Sequence, residues 1–166
     1  MISYNTMSKI LLSFLVPFIL VSQERVDFVS KNPFSFHDII TNLEEQEEQL
    51  VYGVLKMPNN VKSDTLVPLV IAVAGSNGWA NHHHEYLERY RNNGIATFEL
   101  CSFQSRGVSS TVGEQTKVTT AMMILDAYSA FEVLVKKYMI DPNKTGITGW
   151  SLGGGVSLFS AWQPLK

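Results

Sequence analysis

The sequence has little charge, almost no cysteine and no apolar run long enough to cross a bilayer. Only 17% of its 166 residues are charged, and 13 Lys and Arg against 15 Asp and Glu leave a formal net charge of −2. Such a balance supplies no basic field to gather nucleic acid or an anionic membrane surface, so nucleic acid is not expected as a partner. The single cysteine, Cys101, excludes an internal disulfide and leaves the compartment open. No cysteine stands directly after the first apolar stretch, so a lipid-attached N-terminus has no acceptor there. That stretch, Ile10 to Val21, is broken only by Ser13 and Pro17 and follows one positive charge at Lys9. Its 12 residues fall short of the roughly 20 needed to span a membrane. They suit the hydrophobic region of a secretory signal, with 1–22 as the signal peptide and export to the periplasm or exterior as the expectation. No A-x-A cleavage pattern is present, and an uncleaved anchor or a buried first helix is the alternative.

What is present is the make-up of one globular domain, 45% hydrophobic. Residues 23–49 carry scattered apolar side chains and the acidic group Glu44, Glu45, Glu47 and Glu48. They are expected to form a surface approach segment, with the carboxylates simply solvated. From Leu50 the pattern becomes strand-like up to Met57, and a polar turn, Asn59 to Asp64, follows. Leu69-Val70-Ile71-Ala72-Val73-Ala74 reads as a buried parallel strand. Asn81 is expected to cap a helix over His82 to Asn92, stopped by Gly94. A third strand, Ile95 to Leu100, precedes a polar loop from Cys101 to Lys117 and a long helix from Val118 to Met139, ended by Asp141-Pro142-Asn143. Thr145 to Gly149 then reads as a short strand, and Gly153 opens another helix. Alternating strands and helices predict a doubly wound, mostly parallel α/β sheet over 50–166, with its ligand site at the carboxyl ends of the strands.

The chemistry-bearing motif is Gly149-Trp150-Ser151-Leu152-Gly153, a G-x-S-x-G between a predicted strand and a predicted helix. A nucleophile elbow needs a turn so tight that glycines must stand two residues to either side of the serine. The helix that follows aims its first amides at the same point, which puts Ser151 forward as nucleophile and the Leu152 amide as an oxyanion donor. At the end of the earlier buried strand, Ala74-Gly75-Ser76-Asn77-Gly78 offers the Ser76 amide as a second donor, or serves only as a glycine-rich turn. It lacks both G-x-G-x-x-G and the G-K-[ST] of a phosphate loop. His82, His83 and His84 are consecutive, so on a helix they diverge and cannot share one metal ion; they are expected at the surface near a helix start. No metal or cofactor is expected.

Three segments together resemble the dienelactone hydrolase family of the α/β-hydrolase fold, over about Leu50 to Ala161. They are Pro68 to Ser76, Ser102-Phe103-Gln104-Ser105-Arg106-Gly107-Val108, and Asp141-Pro142 leading into Gly149-Trp150-Ser151-Leu152-Gly153-Gly154. The resemblance implies a serine hydrolase acting on small carboxylic esters through an acyl-enzyme. It makes Arg106 a possible contact for a substrate carboxylate, beside the alternative of a structural or solvated arginine. Two departures argue against dienelactone as substrate: Ala74 stands where relatives usually have histidine, and Ser151 where true dienelactone hydrolases use cysteine. A prolyl-oligopeptidase-like peptidase carries a similar G-W-S-x-G-G, and a non-catalytic binding protein on the same fold is a further alternative. In this fold the triad acid and histidine follow the serine, yet no Asp, Glu or His occurs after Ser151. The expectation is therefore a chain cut off after the elbow and its helix, nearly inactive alone because a serine without a base is a poor nucleophile.

Overall fold

Strand β3, Val67–Val73, is a core strand paired on both edges, and its Leu69, Ile71, Ala72 and Val73 are all buried and apolar. The computed structural model describes residues 23–59, 61 and 64–165. The export signal expected over 1–22 lies outside the described residues, as do three positions of the turn before β3. Around β3 the described chain forms β1 (Gln23–Lys31), α1 (Phe36–Thr41), β2 (Glu48–Lys56), α2 (Asn81–Asn92), β4 (Ala96–Leu100), α3 (Ser102–Ser105), α4 (Thr120–Lys137), β5 (Ile140–Gly149) and α5 (Leu152–Phe159). Among the described residues no helix is long and apolar enough to cross a membrane.

The five strands lie in the order β1-β2-β4-β3-β5. β4 and β5 flank β3 in parallel, whereas β2 runs antiparallel to both β1 and β4. The sheet is thus mixed, with an antiparallel hairpin joined to a parallel half. The chain moves from β3 to β4 in one direction and from β4 back past β3 to β5 in the other. Right-handed crossovers in opposite directions put α2 on one face and α4 on the other, and α4 packs with α5 on that second face.

The segment expected to be surface supplies a full edge strand. β1 pairs with β2 over nine residues, and Val26, Phe28 and Ser30 alternate inward while Arg25, Asp27 and Val29 face out. Two apolar side chains and a serine make a faint two-residue period, which is why the alternation escapes notice. α1 begins with a reciprocal cap: the Asp38 amide donates to Ser35 Oγ, and the Ser35 amide donates to the Asp38 carboxylate. The acidic group behind it is exposed, and Lys31 Nζ reaches the carbonyls of Leu43 and Glu44 there.

Two boundaries also shift. Asp141-Pro142-Asn143 does not lie between elements but inside β5, as a bulge: Val67 faces Ile140, and the next aligned pair is Leu69 with Thr145. The Asn143 amide donates to the Asp141 side chain, and Thr145 Oγ1 to the Asp141 carbonyl, so the bulge closes its own polar groups. Part of the expected loop after β4 folds into the short α3.

Candidate active site

β1, β3, β4 and β5 all point the same way, since two antiparallel steps separate β1 from β4. Their carboxyl ends therefore share one end of the sheet. Gathered there are the elbow after β5, the turn Gly75 to Gly78 after β3, the loop after β4, and α1 after β1.

At the elbow, Ser151 adopts φ 51, ψ −113 and is exposed. Among the described residues only Asp64 is a second non-glycine with positive φ. Such backbone costs of order 1–3 kcal/mol and persists only where the surroundings enforce it. Here the Trp150 amide donates to the Val73 carbonyl, tying the turn to β3, and the Gly153 amide donates to the Trp150 carbonyl, closing it. A Cβ on Gly149 would stand 2.1 Å from the Gly153 carbonyl oxygen, and one on Gly153 would stand 2.2 Å from that of Val73. These two glycines let α5 start directly against β5 and β3.

A Cβ placed on Gly75 would lie 3.0 Å from the Trp150 carbonyl oxygen and 3.4 Å from Ser151 Cβ, so the turn after β3 abuts the nucleophile. That turn is pinned by the Gly78 amide donating to the Gly75 carbonyl, and by the Thr111 amide and the Ser110 hydroxyl donating to the Ser76 carbonyl. The Leu152 and Ser76 amides take part in no hydrogen bond among the described residues. Leu152 follows Ser151 at the start of α5, and Ser76 follows Gly75, whose Cβ position meets Trp150 and Ser151.

His83 and His84 meet different partners, while the His82 ring lies 4.0 Å from that of His83. His83 is buried, 5% exposed, rather than at the surface, and its Nδ1 accepts from the Ala80 amide at the start of α2. That places the cap on Ala80 and His83 in place of Asn81. Its ring sits 4.4 Å from that of Trp150, and Trp79 stands 6.1 Å from Trp150, making an aromatic wall beside the elbow. Desolvation, with His82 and His84 adjacent, lowers the His83 pKa from its ordinary value. His84 Nδ1 lies 3.4 Å from a carboxylate oxygen of Glu99 without hydrogen-bond geometry, and Lys56 Nζ reaches the other oxygen at 2.6 Å. Among the described residues no group of three His, Cys, Asp or Glu could hold a metal ion.

Arg106 goes elsewhere than the resemblance suggests. Its guanidinium forms a two-pronged pair with Asp126 of α4, at 2.7 and 3.1 Å, and also donates to Asn32 Oδ1 and to the carbonyls of Ser102 and Lys31. The two side chains are 6% and 0% exposed. Its donors are spent on joining β1, α3 and α4, which leaves none turned toward a substrate carboxylate. Asp126 is the partner that sequence reasoning missed; its place among Ala121, Ile124 and Ala130 on the buried side of α4 was the available signal. Cys101 is buried, and desolvation together with Glu99 pushes its thiol up to about 11, so it is no reactive nucleophile.

A cleft of about 420 Å³ runs along β5 between Ile147, Tyr128 and Phe131, away from the serine. A second, about 350 Å³, lies between α1 and the start of α4 and includes Leu152, the neighbour of Ser151, in its wall.

No protein-family model and no curated protein matches the chain. Solved structures do. A Klebsiella pneumoniae protein assigned as a dienelactone hydrolase superposes with TM-score 0.54 at 17% identity, over 83% of this chain and 55% of that one. The dienelactone hydrolase-like promiscuous phosphotriesterase P91 from metagenomic libraries gives 0.50 at 14%, over 84% and 54%. A puromycin-hydrolyzing peptidase of Mycobacterium tuberculosis gives 0.51 at 20%, over 67% and 18%. The chain spans about half the length of the dienelactone hydrolase-like structures it matches. At these identities the likeness is one of architecture: the chain has the α/β-hydrolase fold, and dienelactone hydrolase-like proteins are among its structural neighbours.

Proposed function

We propose that this chain carries the nucleophile and oxyanion hole of a serine hydrolase that cleaves carboxylic esters. The carrying observation is Ser151, exposed and held at φ 51 where β5 turns into α5, with the turn after β3 meeting it at Gly75. In this reading Ser151 Oγ attacks the ester carbonyl, and its proton passes to a histidine that an acid orients. The Leu152 and Ser76 amides take the negative charge that develops on the carbonyl oxygen. The alcohol leaves with that proton, and water then releases the acid from the acyl-enzyme. The sequence holds no Asp, Glu or His beyond Ser151, so the acid and histidine come from outside it. By itself the chain is then nearly inactive. The same proposal places the enzyme outside the cytoplasm, on the apolar run Ile10 to Val21 alone. Peptidases among the matched structures keep cleavage of peptide bonds as a second reading.

The test is labelling of the natural protein that contains this chain with a fluorophosphonate, which reacts only with an activated serine. Labelling that disappears in Ser151→Ala supports the proposal. A folded natural protein that stays unlabelled overturns it and favours a binding role.

A further inference from the structure

The groove beside Leu152 is built from two parts of the chain that the proposed catalytic step does not use. One wall is Phe34 and Phe36, on and before α1; the other is Gln115, Thr116 and Thr120, on and before α4. Leu152 closes it at the elbow. The first wall is held in place: buried Thr119 donates its hydroxyl to the Pro33 carbonyl, and the Ser35-Asp38 cap fixes the start of α1. Phe36 leans on Phe159 at 5.4 Å and on Trp162 at 6.2 Å. Phe34, by contrast, leaves an aromatic ring 61% exposed at the rim. The volume of about 350 Å³ is at the small end of ligand sites.

Among the described residues no charged side chain lines this groove. Of the flanking charges, Arg106 is spent on buried Asp126, and Lys117 pairs with Glu114 at the exposed surface rather than in the groove wall. Asp38, in the first turn of α1, is negative, and hydrogen bonds from the Ser35 amide and hydroxyl hold its pKa below the ordinary value. The first turn of α4 is closed by Thr119 Oγ1, which accepts from the Met122 amide. An anionic group entering here would lose its hydration and find no cation to replace it, whereas methylene groups would cover Phe34, Phe36 and Leu152.

We infer that this groove receives the acyl group of the ester bound at Ser151, and that the group is uncharged and apolar, several carbons long. The inference rests on the serine hydrolase proposal and adds the substrate class to it.

The experiment uses the natural protein with p-nitrophenyl acetate, butanoate, hexanoate and the anionic half-ester of glutarate. The hexanoate-to-acetate ratio of kcat/KM is expected to exceed tenfold, with the half-glutarate at least tenfold below butanoate. Thr120→Trp, which fills the groove, lowers the first ratio at least tenfold. Thr116→Arg, which supplies the absent cation, raises the half-glutarate-to-butanoate ratio at least tenfold. Each ratio is internal to one variant, so a general loss of activity or of folded protein does not move it. Ratios within twofold of the unsubstituted protein in both variants overturn the inference while leaving the serine hydrolase standing. An unsubstituted protein that a fluorophosphonate does not label removes both.

Discussion

Two loops leave the carboxyl end of the sheet, and they handle their conspicuous side chains in opposite ways. The elbow after β5 turns Ser151 outward and accepts backbone strain to do so. The loop after β4 turns Arg106 inward, where a guanidinium would be costly if Asp126 did not meet it with two oxygens. Both residues stand out in the sequence as candidates for chemistry. What separates them is the supply of partners: five acceptors surround Arg106, while none engages the Ser151 hydroxyl among the described residues. A residue fully provided for by its own fold has nothing left for a ligand.

The sharpest way to break this contrast is to remove one member of the inner pair. Arg106→Ala or Asp126→Ala should lower stability by about 3–5 kcal/mol in denaturant unfolding, because the survivor is left as an unpaired buried charge. Replacing both, as Arg106→Met with Asp126→Leu, should recover most of that loss; a double substitution as damaging as the single ones would mean that the pair does more than neutralise itself. At the elbow, Gly153→Ala should cost about 3 kcal/mol, since its methyl group would meet the Val73 carbonyl at 2.2 Å. The same variant should lose fluorophosphonate labelling, because α5 can no longer seat against β3. Ser151→Gly goes the other way. By relieving a positive φ it should stabilise the fold by about 1 kcal/mol, whereas Ser151→Ala, which keeps the strain, should not; equal midpoints for the two would refute strain at this position.

The smallest expected effect concerns His83, in the aromatic wall. Its lowered pKa means that the folded state binds fewer protons than the unfolded one, for which the ordinary value is 6.5. Stability is then complete above that pH and declines as pH falls below it. His83→Gln, which keeps an acceptor for the Ala80 amide, should flatten the decline that sets in below about pH 6.5 in a series of thermal midpoints. An unchanged acid slope would assign that sensitivity to other groups.

How much of this was legible in the sequence follows from how local each feature is. The elbow is five consecutive residues between two elements, so its letters and its context coincide. The doubly wound half follows from the alternation of apolar strands with amphipathic helices. The Arg106 partner lies 20 residues further on, in a different element, and no local pattern announces it. β1 escapes because the alternation begun by Arg25 to Phe28 reverses at once, with Val29 facing out and Ser30 facing in. The cap Ser35-x-x-Asp38 was the clue that residues 23–49 hold ordered structure. At β5 a proline that reads as a stop is absorbed by the bulge. The groove could not be foreseen at all, since its walls meet only once β1 has delivered α1 to the carboxyl end of the sheet.

The strand order also bears on how the chain is made. β3, its most apolar strand, has β4 and β5 as neighbours, and a ribosome delivers both of them later. β1 and β2 can pair as soon as they emerge, but β3 must then wait with both of its edges bare while α2 is synthesised. During that interval the nascent chain exposes Val67 to Val73 to any passing strand, the type of intermediate that chaperones shield. Slowing translation across α2 should therefore raise aggregation of the newborn protein without altering the stability of the molecules that finish folding.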